Sequence, residues 1–131
     1  MREILFRGKR LCDDQWTYGS LIKFVGQDVI FAASGDYRGA YDVLPSTVGQ
    51  YANQTDKSGT KIFEGDICRH RSIVGGKVLE DDVGDVFLYY GSWTLRDKFG
   101  YIAIGQCSPD SLEVIGNIHD NPELLEEGQH G

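Results

Sequence analysis

The chain has 131 residues, of which 40% are hydrophobic and 25% are charged. This length suits one domain, or one domain with a small appendage, and it can bury a core without disulfides or metals. Twenty acidic residues against 13 basic ones give a formal net charge of −7. That balance argues against a general duplex-DNA or RNA binder, because such proteins gain affinity by neutralising phosphates. The 17 glycines and the many aromatic residues favour a turn-rich β protein.

The first third of the chain is predicted to form a hairpin followed by a third strand. Extended runs cover residues 3–7, 16–24 and 28–33. The segment 35–42 has glycines near both ends and is predicted to be a loop. Pro45 begins at most one helical turn, since Gly49 weakens its continuation.

The second part of the chain has a denser β pattern. Turns are predicted at residues 56–59 and 75–76, and a type II′ hairpin turn at Gly91-Ser92. Asn121 as N-cap and Pro122 at the first helical position predict a short C-terminal helix. Short strands at a spacing of about ten residues indicate a small barrel or sandwich. These strands are predicted at residues 62–69, 85–90, 93–96, 101–104 and 112–115.

Three groups of residues are candidates for reactive or metal-binding sites. Cys68 and His70 share one face of a strand, and a structural cysteine beside a surface histidine is favoured over a metal site or a Cys–His pair. The acidic segment 80–85 is predicted to be a solvated turn, because it lacks the ligand spacing of a calcium loop. Residues 64–66 are predicted to form a tight bend, although two carboxylates on one face also suit acid–base chemistry. No metal site, cofactor or catalytic residue is predicted, and the protein is not expected to be an enzyme.

The cysteines and the first residues of the chain indicate the cellular compartment in which the protein is expected. Cys12, Cys68 and Cys107 are odd in number and scattered, which is not typical of a disulfide framework. The first residues lack the apolar run of a secretory signal, and no apolar stretch is long enough to span a bilayer. A cytoplasmic location with free thiols is therefore expected.

The aromatic residues suggest a binding surface. Those in predicted strands are expected to be core. Tyr37, Arg38 and Tyr41 differ, because their surroundings are predicted to be loop, and tyrosine and arginine are the residue types that anchor protein interfaces. These three residues are predicted to bind a partner. The alternative is that the tyrosines fold back and cap the barrel.

Five blocks of the sequence resemble one known family. They are residues 1–9 (MREILFRGK), 16–21 (WTYGSL), 47–51 (TVGQY), 56–67 (DKSGTKIFEGDI) and 113–126 (EVIGNIHDNPELLE). In this combination and order they resemble the YopX-like proteins of bacteriophages and prophages. Residues 52–55 (ANQT) depart from the family pattern, and residues 35–41 match no part of it.

The resemblance implies a fold and an origin but no activity. It implies an α+β N-terminal part and a C-terminal roll similar to SH3-type barrels, and a phage-derived gene in a bacterial cytoplasm. The expected fold is mostly β (α+β), with a hairpin and loop subdomain over residues 1–50, an SH3-like roll over residues 51–131 and a short C-terminal helix. The family carries no established cofactor or catalytic residue, so no functional residue is transferred.

Three functions are compatible with the sequence. The leading hypothesis is a small non-catalytic binding module that acts on a host or phage protein. Association with single-stranded nucleic acid is the alternative, because small barrels can stack bases on aromatic residues, and an enzyme of unknown type is the third. A homo-oligomer is also predicted, because short strands leave open edges and the first ten residues are basic while the last twenty-two are acidic.

Overall fold

A computed structural model describes residues 2–32 and 39–125. The chain is mostly β, with a curled half-barrel sheet and a short C-terminal helix at residues 123–125, which confirms the predicted fold class. In the described part of the chain, no helix is long and apolar enough to cross a membrane. The chain divides into two compact units, Met1–Asn53 and Gln54–Gly131.

The first unit is an antiparallel sheet in which hairpins follow one another along the chain. Its strands are β1 (Phe6–Lys9), β2 (Trp16–Phe24), β3 (Gln27–Ala32), β4 (Gly39–Val43) and β5 (Gly49–Thr55). From one edge the order is β4-β3-β2-β1-β5. The last two residues of β5, and β6 (Lys61–Phe63) beside it at the end of this sheet, belong to the second unit.

The basic residues at the start of the chain are part of this sheet. Arg7 in β1 is buried, and its guanidinium carbon lies 4.7 Å from the centroid of the Trp16 ring. The ammonium of Lys9 lies 5.6 Å from the same ring. Cation–π contacts of this kind stabilise a basic side chain against an aromatic face. The basic start is therefore packed against β2.

The second unit contains a five-stranded antiparallel sheet. Besides β6, the strands of this unit are β7 (Asp66–Val74), β8 (Lys77–Tyr89), β9 (Ser92–Asp97), β10 (Gly100–Ala103) and β11 (Leu112–Asn117). The order in the sheet is β10-β9-β8-β7-β11. Alternation along the strands places one set of apolar side chains on the same face. Fully buried on this face are Cys68, Val86, Leu95 and Leu112.

The acidic segment 80–85 is a strand, so its prediction as a solvated turn is wrong. It forms the middle of β8. Acidic residues are poor strand formers, but here each described carboxylate has a basic partner on a nearby strand or turn. Arg69 donates two hydrogen bonds to Asp81, and Arg96 donates two to Asp85. The ammonium of Lys98 lies 3.9 Å from Asp82 Oδ1.

The hairpin turns follow the glycines. Gly75 and Gly76 form the predicted turn between β7 and β8, both with positive φ. The next turn differs from the prediction by one residue. Tyr90 and Gly91 form it, with φ of 48° and 79°, so it has the two positive φ values of a type I′ turn and is not a type II′ turn at Gly91-Ser92. A left-handed backbone conformation is energetically unfavourable for a tyrosine, but Tyr90 adopts it because the turn requires it.

Asn121 precedes the C-terminal helix as predicted, but its side chain does not cap it. Its carbonyl accepts a hydrogen bond from Leu124 N–H, whereas its Oδ1 accepts one from Asn117 N–H, 3.3 Å away. The side chain also lies against Gly116, where a Cβ would stand 2.6 Å from Asn121 Oδ1. Asn121 therefore holds the turn that leaves β11.

Candidate functional site

The residues that the sequence predicted as a partner-binding loop are only partly placed. Tyr37 and Arg38 lie outside the described residues. Tyr41 lies in β4, opposite Ile30 of β3, so the prediction that the loop extends to residue 42 is wrong. Its ring is partly buried, and the guanidinium carbon of Arg10 lies 4.6 Å from the ring centroid. The strand register explains the difference, because residues 39–43 complete a ladder with β3.

A second group of aromatic residues is exposed on the sheet of the second unit. We define the aromatic patch as Phe87, Tyr89, Tyr90, Arg96 and Tyr101. Tyr90 is 90% exposed, Tyr101 55% and Tyr89 39%, and Phe87 is partly buried beneath them. The prediction that aromatic residues in strands belong to the core is therefore wrong for these tyrosines.

Strand register brings the patch together. Phe87 and Tyr89 are two residues apart on β8 and share one face. Tyr101 comes from β10, which is separated from β8 by β9. Thr94 of β9 lies opposite Phe87 on one side and Ala103 on the other. Because Thr94 and Ala103 have small side chains, they leave space above β9 for the large rings to meet.

The rings contact one another edge to face. The Tyr101 centroid lies 5.5 Å from that of Phe87 and 4.9 Å from that of Tyr89, with interplanar angles of 69° and 61°. The Tyr90 ring extends this group at 4.5 Å from Tyr89. Edge-to-face pairs at such separations each add a favourable term of about 0.5–1.5 kcal/mol beyond area burial. The patch is therefore pre-ordered, although much of it is open to solvent.

Arg96 fixes one end of the patch. Its guanidinium carbon lies 4.3 Å from the Phe87 centroid, while its Nε and Nη2 donate hydrogen bonds of 3.2 and 2.9 Å to the buried carboxylate of Asp85. These hydrogen bonds raise the pKa of the Arg96 guanidinium above its usual value, with a further contribution from Tyr101. Arg96 therefore stays charged, and its planar group is held against the ring.

A small pocket of about 160 Å³ lies at the β9–β10 turn, with Tyr101 among its lining residues. Asp97 Oδ1 accepts hydrogen bonds from the backbone N–H of Phe99 and of Gly100, which fixes the β9–β10 turn and leaves the Phe99 ring 78% exposed at the rim. Asp82 is buried in its wall. The pocket is lined by His70, Asp82, Asp97, Phe99, Gly100, Tyr101 and Ile102.

Cys68 and His70 share a face of β7, as predicted, but His70 is not at the surface. It is 7% exposed and lies opposite Asp82 in the β7–β8 register, while Cys68 is fully buried. The strand continues the buried face by two residues, which places the imidazole in the pocket wall. Among residues 2–32 and 39–125, no group of three or more His, Cys, Asp or Glu side chains is arranged to hold a metal ion.

The bend at residues 64–66 is also as predicted. Glu64 and Gly65 form the turn between β6 and β7, and Gly65 has a φ of 90°. Asp66 is buried, and its Oδ2 accepts a hydrogen bond of 2.7 Å from Phe63 N–H. This carboxylate therefore holds the turn.

Charge differs strongly between the two units. Residues 1–53 contain six acidic and six basic residues, whereas residues 54–131 contain fourteen acidic and seven basic ones. The whole net charge of −7 thus belongs to the unit that carries the aromatic patch. Such a unit attracts basic partners and repels polyanions.

Comparison with known proteins gives the family and the fold. The model of the YopX protein family matches residues 5–126. The crystal structure of protein EF1440 from Enterococcus faecalis is similar, with a TM-score of 0.59 at 19% identity, covering 95% of this chain and 99% of that one. The structure of protein yopX from Bacillus subtilis is similar at a TM-score of 0.60 and 23% identity, covering 95% and 97% of the two chains. Among curated proteins there is no match.

Proposed function

The chain belongs to the YopX family, and we propose that it is a non-catalytic binding module whose aromatic patch docks on a host or phage protein. The observation that carries this proposal is the exposed cluster of Tyr89, Tyr90 and Tyr101, ordered by ring contacts and by Arg96. A phage-derived origin and a cytoplasmic location belong to the same proposal, and rest on the sequence blocks described above.

The residue types and their support suit a protein interface. Tyrosine and arginine are enriched among the residues that dominate binding energy. A tyrosine ring offers a large contact area for the loss of few side-chain torsions, and rings already in contact lose less entropy when a partner covers them. The β8–β9 hairpin holds these rings on a sheet, so binding needs no rearrangement of the backbone.

The negative charge of the second unit favours a basic protein segment over an acidic one as the partner. Single-stranded nucleic acid also stacks on aromatic rings, but such sites combine stacking with a positive groove along the phosphates. The patch contributes one cation, Arg96, which is already paired with Asp85, in a unit of net charge −7. Protein docking is therefore the proposal we favour.

The predicted surface at Tyr37, Arg38 and Tyr41 stays a separate prediction. It belongs to the first unit, and Tyr41 is the member that the structure describes. Its ring lies against Arg10, so a partner would meet Tyr41 and Arg10 together.

The patch is tested by selecting binders from a random peptide library displayed on messenger RNA, with the purified chain as bait. Peptides are expected to be enriched, and to bind at least about tenfold more weakly to a Tyr89→Ser, Tyr90→Ser variant, since both rings contribute to the contact. Tyr18→Ser is the matched control, because Tyr18 is similarly exposed in the first unit.

The selection can fail in recognisable ways. Peptides that bind the double variant as well as the wild type would place the binding surface elsewhere. Absence of enrichment would overturn docking of peptide segments on the patch. Binding of oligothymidine that depends on the same two tyrosines would favour the nucleic-acid alternative.

We also propose that the chain self-associates through the tip of the β7–β8 hairpin. Four aliphatic side chains are each more than half exposed there: Ile73, Val74, Val78 and Leu79. The pairing of β8 with β9 covers Asp85–Tyr89, which leaves the outer edge of β8 from Lys77 to Asp81 open to a further strand in the described sheet. Antiparallel pairing of two copies about Leu79 sets Lys77 of one opposite Asp81 of the other, so the charges of this edge are self-complementary.

Leu79→Lys is expected to weaken self-association by about tenfold or more, because it places two ammonium groups at the two-fold axis. Sedimentation equilibrium at micromolar concentrations measures the effect. Leu88→Lys is the control, since Leu88 is also more than half exposed on the same strand but lies in the paired region. A monomeric wild-type chain, or equal loss in both variants, would refute the hairpin contact.

A further inference from the structure

The two end strands of the five-stranded sheet differ in how their outer edges are covered. At the β11 end, the backbone N–H of Lys57 donates a hydrogen bond of 3.0 Å to the carbonyl of Leu112. The Oδ2 of Asp56 accepts a hydrogen bond of 2.9 Å from the N–H of Val114 on the same strand. The chain before β6 therefore satisfies backbone groups that β11 would otherwise present to another strand.

At the other end of the sheet, the outer edge of β10 is open. β10 (Gly100–Ala103) pairs with β9, and in residues 2–32 and 39–125 no strand pairs with its other side. The strand contains no charged residue and no proline, which commonly block the addition of a strand to an edge. Alternate residues of such a strand point their N–H and C=O groups away from the paired neighbour. β10 can therefore accept a further strand.

This end strand carries one ring of the aromatic patch. Tyr101 lies opposite Arg96, yet its ring centroid is 4.9 Å from that of Tyr89, which lies farther along the ladder. The Tyr101 ring therefore leans over the row formed by Thr94 and Ala103, whose side chains are small. Residues directly opposite each other on paired strands have neighbouring side chains on one face. A strand added beside β10 thus places the side chain opposite Ala103 against the Tyr101 ring.

We propose that the protein bound by the aromatic patch contributes an extended segment that pairs with the outer edge of β10 as a sixth strand of the sheet. This inference rests on the proposed function, because Tyr101 belongs to both the patch and the end strand. The segment places a large apolar or aromatic side chain opposite Ala103, in contact with the Tyr101 ring. In such strand addition, main-chain hydrogen bonds supply affinity, and the side chains on alternate positions supply specificity.

Strand addition is tested without the partner by nuclear magnetic resonance, with ¹⁵N-labelled protein and the peptide acetyl-Lys-Val-Thr-Phe-Thr-Val-Lys-amide as the probe. Its alternation places the phenylalanine and both valines on one face. Saturable shifts are expected at the backbone amides of Tyr101, Ile102 and Ala103. With the probe at about ten times its dissociation constant, hydrogen exchange at an outward-facing amide of β10 is expected to slow about tenfold.

The matched control is the same peptide with N-methyl groups on its three central residues. It has the same side chains, but its central backbone nitrogens cannot donate hydrogen bonds to β10. It is expected to bind at least about tenfold more weakly than the probe.

Two variants locate the probe on the sheet. Tyr101→Ser is expected to weaken binding by about fivefold or more, because the phenylalanine of the probe then loses its cross-strand ring. Tyr90→Ser is the control and is expected to leave binding unchanged, since Tyr90 lies in the β8–β9 turn and its ring contacts Tyr89. The dispersion of the spectrum must first show that Tyr101→Ser is folded, and the N-methylated peptide decides the question if it is not.

The outcomes separate this inference from the proposed function. Absence of shifts at β10, or equal binding of the N-methylated peptide, would overturn strand addition and leave docking on the patch standing. Slowed exchange at the open edge of β8, from Lys77 to Asp81, in place of β10 would have the same meaning. Slowed exchange at β10, together with selected peptides that bind the Tyr89→Ser, Tyr90→Ser variant as well as the wild type, would support the added strand and contradict the proposed function.

Discussion

Gly84→Ala is expected to lower the free energy of unfolding of the second unit by about 3 kcal/mol. A Cβ at Gly84 would stand 2.4 Å from the carbonyl oxygen of Arg96 and 2.8 Å from its carbonyl carbon, and both are backbone atoms of β9. Backbone in a paired strand cannot yield as a flexible side chain does. Either β9 moves away from β8 or the pairing next to it is lost.

The effect is measured by denaturant unfolding followed by the fluorescence of Trp93, in a Trp16→Phe background that leaves one tryptophan reporter in the second unit. Gly105→Ala is the matched control, because a Cβ there meets no atom within 4 Å. The control is expected to change stability by less than about 0.5 kcal/mol. Equal stability of the two variants would mean that β8 and β9 are farther apart at Gly84 than described.

Replacing Asp56 is the second change with a large expected effect. Asp56 is buried, and its Oδ1 accepts hydrogen bonds from Ser58 N–H and Thr60 N–H, while its Oδ2 accepts one from Val114 N–H of β11. Asp56→Ala removes the acceptor of three backbone donors, and the expected loss of stability is about 3 kcal/mol. Asp56→Asn is expected to lose about 2 kcal/mol, because its amide group turns a donor towards either the turn or Val114.

The same carboxylate gives a pH dependence with a defined sign. Burial alone would raise the pKa of Asp56, but the hydrogen bonds from Val114, Thr60 and Ser58 outweigh it, and the pKa lies below its usual value of 3.8. A lowered pKa means that the stabilisation is fully present above the unfolded pKa and is lost as the pH falls through the folded one. The difference in stability between the wild type and Asp56→Asn should therefore be constant from about pH 7 to about pH 5 and shrink below about pH 4.

Urea unfolding across this range measures that difference, and Asp110→Asn, at an exposed carboxylate, is the control. A gap between wild type and Asp56→Asn that widens at low pH would have the wrong sign for a carboxylate held by backbone donors. A gap that is absent at neutral pH would mean that Asp56 does not link its turn to β11.

The sequence predicted those parts of the fold that short-range rules determine. Turn residues such as Gly75 and Gly76 mark the hairpin between β7 and β8, and the extended run 16–24 coincides with β2. The mostly β class follows from the spacing of such signals. A hairpin turn is a local feature, because glycine readily adopts the positive φ that the turn requires, and its position in the sequence therefore predicts the turn.

The parts that were predicted wrongly depend on partners distant in the chain. The acids at 81, 82 and 85 fit a strand because Arg69, Lys98 and Arg96 lie across from them. No local sequence pattern indicates that these basic residues will neutralise the acidic ones.

The aromatic patch was missed for the same reason. Alternation predicts that Phe87 and Tyr89 share a face, but not that Tyr101 joins them over Thr94, nor that this face is open to solvent. The available signal was the run Tyr89-Tyr90-Gly91, since an aromatic residue in a tight hairpin turn has little neighbouring chain to cover it.

The central claim is that the aromatic patch is the surface on which this protein binds. Isothermal titration calorimetry tests this claim most directly. One selected peptide is titrated into the wild type, the Tyr89→Ser, Tyr90→Ser variant and the Tyr18→Ser control. We predict a dissociation constant at least about tenfold higher for the double variant and an unchanged value for the control. Equal affinity of the wild type and the double variant would contradict the claim.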